Sequence, residues 1–172
     1  IYLITADAGF DYTQDYNEQE RMSLSLIYGE IFMALNVQEK GGIFICKVFD
    51  LFLKETIKLI YLLTLSYDKV VIHKPFMSRL SNSEKYLICK GFKGYNTNII
   101  NTLFRSFKDY NIDQKIDLNY EKCLMNFNDE YTNQQIKQIR RGIKLIEENS
   151  TRDKPSFNQI RSSVSWCNAN SV

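Results

Sequence analysis

A single histidine, His73, occurs in the 172-residue chain, and none of its four cysteines stands in a Cys-x-x-Cys pair or beside a histidine at metal spacing. The usual zinc frameworks therefore lack their donors, and no metal is expected. No apolar stretch is long enough to span a membrane; the longest, Ile57 to Leu65, is broken by Lys58. Gly-x-Gly-x-x-Gly and phosphate-loop patterns are missing, which argues against a generic nucleotide-binding module. Ile1 is preceded by no initiator Met, basic segment or cleavage site, so no signal peptide is expected. The chain lacks internal repeats and low-complexity tracts. It also lacks a charge excess: the net charge is +2, so any nucleic-acid-binding surface must be local.

What is present is an ordinary globular composition, 44% hydrophobic and 24% charged, in a chain long enough to bury one core. Richness in Ile, Lys, Asn and Tyr suggests an AT-rich genome. Tyr2 to Thr5 reads as a buried strand, and a domain that opens inside its core reads as cut from something longer. Asn17 to Leu35 has helical spacing, with Asn17 expected as N-cap and Glu20 completing a capping box. Gly41-Gly42 ends that helix. The near-continuous run Ile43 to Phe49 reads as a strand covered on both faces. Leu51 to Thr64 reads as a helix capped by Asp50, and Lys69 to His73 and Lys85 to Cys89 as strands. Alternating strands and helices predict an α/β fold with a mostly parallel sheet. Beyond about residue 95 the character changes: Asn98 to Phe107 and Tyr131 to Glu148 read as helices, and Asn149 to Val172 as a loosely ordered polar tail. Cys46 and Cys89, in apolar runs, read as small hydrophobes in a reducing compartment.

The chemistry lies at the strand ends, where the working residues of open α/β sheets gather. Asp7 follows the first strand, Lys47 lies late in the second, and Glu84 begins the last. A lysine inside an apolar strand is the anomaly, since lysine is rarely buried unpaired. A structural ion pair is its ordinary explanation, but two carboxylates at strand edges favour a site. His73 and the basic residues Lys137, Arg140, Arg141 and Lys144 are read as structural and solvated respectively. Phe10 and Tyr12, in the loop that begins at Asp7, could stack on a base.

Four segments then carry a resemblance: Asp7-Ala-Gly-Phe, Asn17-Glu-Gln-Glu, Gly41-Gly-Ile-Phe-Ile-Cys-Lys-Val-Phe-Asp50, and Lys74-Pro-Phe-Met-Ser-Arg-Leu-Ser-Asn-Ser-Glu84-Lys-Tyr. Over roughly residues 1–92 the sequence resembles the FtsJ-like RNA ribose 2'-O-methyltransferases, nearest to the cap-directed enzymes of eukaryotes and large DNA viruses. The resemblance implies a Rossmann-like, S-adenosylmethionine-dependent methyltransferase sheet truncated at its N-terminus, its C-terminal half at 1–94 and a mainly helical extension at 95–172. It places Asp7, Lys47 and Glu84 on the last three members of a Lys-Asp-Lys-Glu catalytic tetrad. Asp7 is expected to touch the cofactor as well, and Lys74, Ser78, Arg79 and Asn82 to face the RNA. The first tetrad lysine and the glycine-rich cofactor loop are expected upstream of Ile1, so this stretch alone is expected to be inactive.

A ribose hydroxyl is a poor nucleophile and a sulfonium methyl a good electrophile, so such a site must align the two and manage one proton. Lys47 could take that proton while neutral or stabilise the developing alkoxide while charged; both remain open at this point. The expected partners are RNA, nearest the capped 5' end of mRNA with ribosomal or transfer RNA as alternative, and a protein partner through residues 95–172. A non-catalytic docking module of a capping or transcription complex is the competing reading. The expected setting is cytoplasmic or nuclear, with a viral factory or virion as further settings.

Overall fold

The computed structural model describes residues 1–12, 15–76, 78–148, 155 and 157–170, in two compact units, Ile1–Gln135 and Ile136–Val172. The first unit holds β1 (Leu3–Ala6), a 3-10 turn (Tyr16–Glu18), α1 (Gln19–Val37), β2 (Ile43–Val48), α2 (Lys54–Ser66), β3 (Tyr67–His73), β4 (Lys85–Phe92) and α3 (Thr97–Arg105). It also takes the N-terminal part of α4 (Leu118–Glu147).

The four strands form one sheet in the order β1-β2-β4-β3. β1 and β2 are parallel, but β4 lies antiparallel between β2 and β3. This corrects the expected mostly parallel sheet. Among the described residues the link from β3 to β4 contains no helix, and the chain turns back beside β3 instead of crossing over.

Period-two alternation then sorts the strand residues into two faces. Phe44, Cys46 and Val48 pair with Cys89, Leu87 and Lys85, so these six side chains share one face, and all are buried. Ile27, Tyr28, Ile31, Ala34 and Leu35 of α1, Leu59, Ile60, Leu62 and Leu63 of α2, and Ile100 and Leu103 of α3 join its apolar members in one core. Ile112 and Leu124 join it too, so segments beyond residue 95 help close the core. The opposite face, with Ile43, Ile45, Lys47, Tyr86 and Ile88, is only half-buried. The expectation that β2 is covered on both faces is therefore corrected. So is the buried first strand: β1 is an edge strand, and Leu3 is 54% exposed.

Local capping also differs from the sequence reading. The Asp15 carboxylate accepts from the Asn17 amide at 2.8 Å and caps the 3-10 turn, leaving Asn17 inside it. Glu20 does not close a capping box. Its carboxylate accepts the amides of Phe52 (2.9 and 3.0 Å) and Leu53 (2.9 Å), so it caps the approach to α2 from another element. Asp50, expected in that role, turns to Lys85 instead. After α1, Gly42 passes so close to β1 that an added Cβ would stand 2.7 Å from the Tyr2 carbonyl oxygen.

In the second unit α5 (Phe157–Asn170) contains no buried residue. The rest of the tail, residues 149–154, 156 and 171–172, lies outside the described residues. No helix among the described residues is long and apolar enough to cross a membrane.

Candidate active site

The reversal of β4 assembles the site. Parallel pairing puts the carboxyl ends of β1 and β2 together, with Ala6 opposite Cys46. Antiparallel pairing brings the start of β4 to the same rim, with Lys85 opposite Val48 and Tyr86 opposite Lys47. Asp7, one residue past β1, and Glu84, one residue before β4, therefore flank the late-strand Lys47. The structure brings all three expected residues to one rim.

Lys47 Nζ lies 2.8 Å from Asp7 Oδ1 and donates to the Asp7 carbonyl oxygen at 3.2 Å. An ammonium has three N–H donors. Two point at Asp7, and among the described residues no hydrogen bond takes the third, which is left for an incoming oxygen. The lysine side chain is 16% exposed and that of Asp7 64%, so the pair has a sheltered cation and an open anion. Burial pulls the Lys47 pKa down. The Asp7 hydrogen bond and charge, then Tyr86 and Glu84, together outweigh it, and the pKa stands above the ordinary lysine value. At neutral pH Lys47 is an ammonium.

Behind the pair stands Glu30 of α1, which the sequence reading missed. Its Oε1 accepts the Ala8 amide at 3.2 Å, fastening the loop that carries Asp7, and its Oε2 faces Cys46 Sγ at 3.6 Å. Burial raises the Glu30 pKa against the lowering hydrogen bonds from Ala8 and Cys46. Glu30 sits one helical turn from Ile27, among core-facing positions, and a carboxylate there was the available signal. Beside Asp7, Ala8 and Glu30 a cleft of about 780 Å³ opens between β1 and α1, otherwise lined chiefly by apolar residues including Leu3, Ala6, Leu26 and Met33. The cleft is open to solvent, and Asp7, the expected cofactor contact, stands among its lining residues. The described residues contain no cluster of three or more His, Cys, Asp or Glu placed to hold a metal.

The loop between β3 and β4, in which Met77 lies outside the described residues, holds the other expected residues, Lys74, Ser78, Arg79 and Asn82. Arg79 is exposed, and its carbonyl accepts the Asn82 amide at 3.2 Å in a turn. The Ser78 hydroxyl lies 3.5 Å from Glu84 Oε1. Lys74, expected to face the RNA, turns inward: Nζ donates to the carbonyl oxygens of Asn82 (3.0 Å) and Glu84 (2.6 Å) and to the Asn82 side-chain oxygen. All three donors thus stay within the loop, two on Asn82 and one on the Glu84 carbonyl. Burial, followed by the nearby charge of Lys85, lowers the Lys74 pKa.

Of the two aromatics proposed for base stacking, Phe10 is 51% exposed but Tyr12 is buried. The Tyr12 hydroxyl shares a 2.7 Å hydrogen bond with Ser23, and its ring stands edge-on to Phe49 at 5.1 Å. Tyr12 is a core residue.

The sheet, covered by helices on one face, thus carries a lysine and two carboxylates at the carboxyl rim of its parallel strands. The family model described as FtsJ-like methyltransferase matches residues 1–92. The chain belongs to the FtsJ-like methyltransferase family. It is 32% identical over 176 residues to the mouse cap-specific mRNA (nucleoside-2'-O-)-methyltransferase 1, an alignment covering 94% of this chain and 21% of that protein. The human protein of the same name is 42% identical over 93 residues, 54% of this chain and 11% of that protein. The chain thus spans about a fifth or less of the length of these relatives. A solved ribosomal RNA methyltransferase from Plasmodium falciparum is similar at TM-score 0.45 and 26% identity, over 55% of this chain and 48% of that one.

Proposed function

We propose that this chain forms the acceptor side of an enzyme that moves a methyl group from S-adenosylmethionine to a ribose 2'-hydroxyl of RNA, at the capped 5' end of mRNA. The observation that carries the reading is the Asp7-held ammonium of Lys47, with one free N–H, on the rim that also presents Glu84. The cap preference is supported by the likeness to the mouse and human cap-specific methyltransferases.

The donor supplies an electrophilic methyl group when bound. Lys47 receives the ribose oxygen on its third N–H, aligning it for in-line attack and stabilising negative charge as the O–H bond weakens. Asp7 holds Lys47 in place by two contacts and keeps it charged. Of the two roles left open by the sequence, geometry and electrostatics favour the charged, orienting one. The hydroxyl proton then passes to solvent through the open Asp7 side of the rim. Glu84 adds to the field that keeps Lys47 protonated. Arg79 and Ser78 stand on the loop that frames Glu84 and are assigned to the RNA, Arg79 through phosphate or sugar. For a protein partner, the exposed isoleucines of α4 (Ile136, Ile139, Ile143 and Ile146) mark the surface within residues 95–172.

The test is methyl transfer from radiolabelled S-adenosylmethionine to capped RNA by the full-length enzyme, beside RNA whose first nucleotides already carry 2'-O-methyl groups. Label on the first RNA and none on the second is the expected result. No transfer to any RNA by a folded, cofactor-binding protein overturns the reading in favour of a docking module.

A further inference from the structure

The most heavily built polar feature outside the Lys47–Asp7 pair lies in the last turn before β4. Three consecutive backbone carbonyls, those of Asn82, Ser83 and Glu84, are each taken by a lysine ammonium. Lys74 holds the first at 3.0 Å and the third at 2.6 Å. Lys85 holds the second at 2.8 Å and also reaches the Phe49 carbonyl at 3.3 Å, Asp50 Oδ1 at 3.4 Å and the Tyr131 ring, whose centroid lies 5.6 Å away. The Ser83 hydroxyl adds a 3.0 Å bond to Gln19 Oε1 of α1.

This arrangement is costly. Lys85 is only 4% exposed, and an apolar side chain would fill its place without desolvating a charge. Lys74 and Lys85 also repel one another, and burial first, then that repulsion, lowers the Lys74 pKa. What the two cations gain is orientation. Fixing the carbonyls of three successive residues fixes the peptide planes on both sides of Glu84, and with them the direction of its side chain toward the rim.

We propose that Lys74 and Lys85 are positioning residues for the methyl transfer, clasping the backbone around Glu84 so that its carboxylate bears on Lys47. The proposal rests on the function inferred above and deepens it. Lys74 then contributes nothing to RNA affinity, although its loop borders the substrate.

The test uses the full-length enzyme and capped RNA. Lys74→Met, and separately Asn82→Ala, which takes away the side-chain oxygen that also anchors Lys74, are each compared with Glu84→Gln, with folding checked by thermal unfolding. Expected are losses of about tenfold to a hundredfold in kcat, the scale of a misplaced catalytic group, with RNA Kd unchanged within about twofold. In the Glu84→Gln background, Lys74→Met should cost no further kcat, because the residue it positions is already gone. Independent roles would instead multiply the losses, and that result overturns the proposal. So does a weakened RNA Kd with kcat preserved, which makes Lys74 a substrate contact. A wild-type enzyme that methylates no RNA overturns the functional reading itself, an outcome separate from an active wild type whose losses multiply.

Discussion

Tyr86 stands opposite Lys47 in the β2–β4 register, on the half-buried face of the sheet. Burial raises the phenol's pKa, the Glu84 and Asp7 charges raise it further, and Lys47 alone draws it down. Four ionisable groups thus share one field, with the ammonium as its single cation.

Lys47→Ala should abolish methyl transfer in the full-length enzyme while leaving it folded. Because Lys47 acts charged, kcat should not rise as Lys47 deprotonates. Its pKa is raised on folding, so its contribution to stability is fully present below the ordinary lysine value, about 10.4, and is lost as pH rises through the folded value. A pH–rate profile that climbs with lysine deprotonation would make Lys47 the general base and defeat the charged role.

Asp7→Asn should separate stability from activity. An ion pair whose acid is mostly open to water contributes about 0–1 kcal/mol to folding, so urea unfolding should move little. The same change removes the main influences that hold the Lys47 pKa up. The alkaline loss of activity should then shift to lower pH. An unmoved limb would place its source elsewhere.

Glu20→Ala should be costly, because it removes the buried carboxylate that accepts the Phe52 and Leu53 amides at a part-buried site. Hydrogen bonds to a charged group contribute about 1.5–3 kcal/mol each when buried, and less where water can replace them. Burial raises the Glu20 pKa against its hydrogen bonds, so its proton-linked stability is present below the unfolded glutamate value, about 4.3, and is lost as pH rises through the folded value. Denaturant unfolding between pH 4 and 7 should show the wild type losing, across that window, a contribution that Glu20→Gln lacks.

Arg79→Ala should weaken RNA binding and leave cofactor binding intact. If Arg79 meets a phosphate, the slope of log K against log salt should also fall by about one contact. Equal affinity over a salt titration would take the exposed loop off the RNA path.

Thiol labelling offers a direct check of the core. Burial raises the Cys46 thiol well above its ordinary value, and that of Cys89 to about 12, whereas Cys123 is exposed. A thiol-specific reagent should modify Cys123 in the native chain and reach Cys46 and Cys89 only after denaturation. Rapid native labelling of Cys46 would contradict the packing of β2.

Much of the site was legible because its residues break local pattern. Lys47 interrupts an apolar run and Asp7 and Glu84 punctuate strand ends, and the family resemblance set these three apart from the other charges beside the strands. The direction of β4 was not legible. Parallel and antiparallel strands share the same period, and only the short link after His73 carried the difference. Lys85 escaped for a related reason. It opens a strand, where a charge reads as solvated, yet it alternates with Leu87 and Cys89 and so points into the core. Glu20 fitted a capping box in sequence, and only tertiary contact revealed that it caps a segment more than 30 residues away. Tyr12 was ambiguous by type, and its bond to Ser23 placed it inside.

The inward-facing Lys85 has a consequence for folding fidelity. A slip of β4 by one residue would send Tyr86 and Ile88 inward and turn Lys85, Leu87 and Cys89 outward. It would also part Glu84 from the rim and empty the ammonium's place beside the Ser83 and Phe49 carbonyls. Pairing errors in this hairpin strand therefore damage core and chemistry together, so a mispaired chain is unstable before it can accumulate as a folded, inactive isomer.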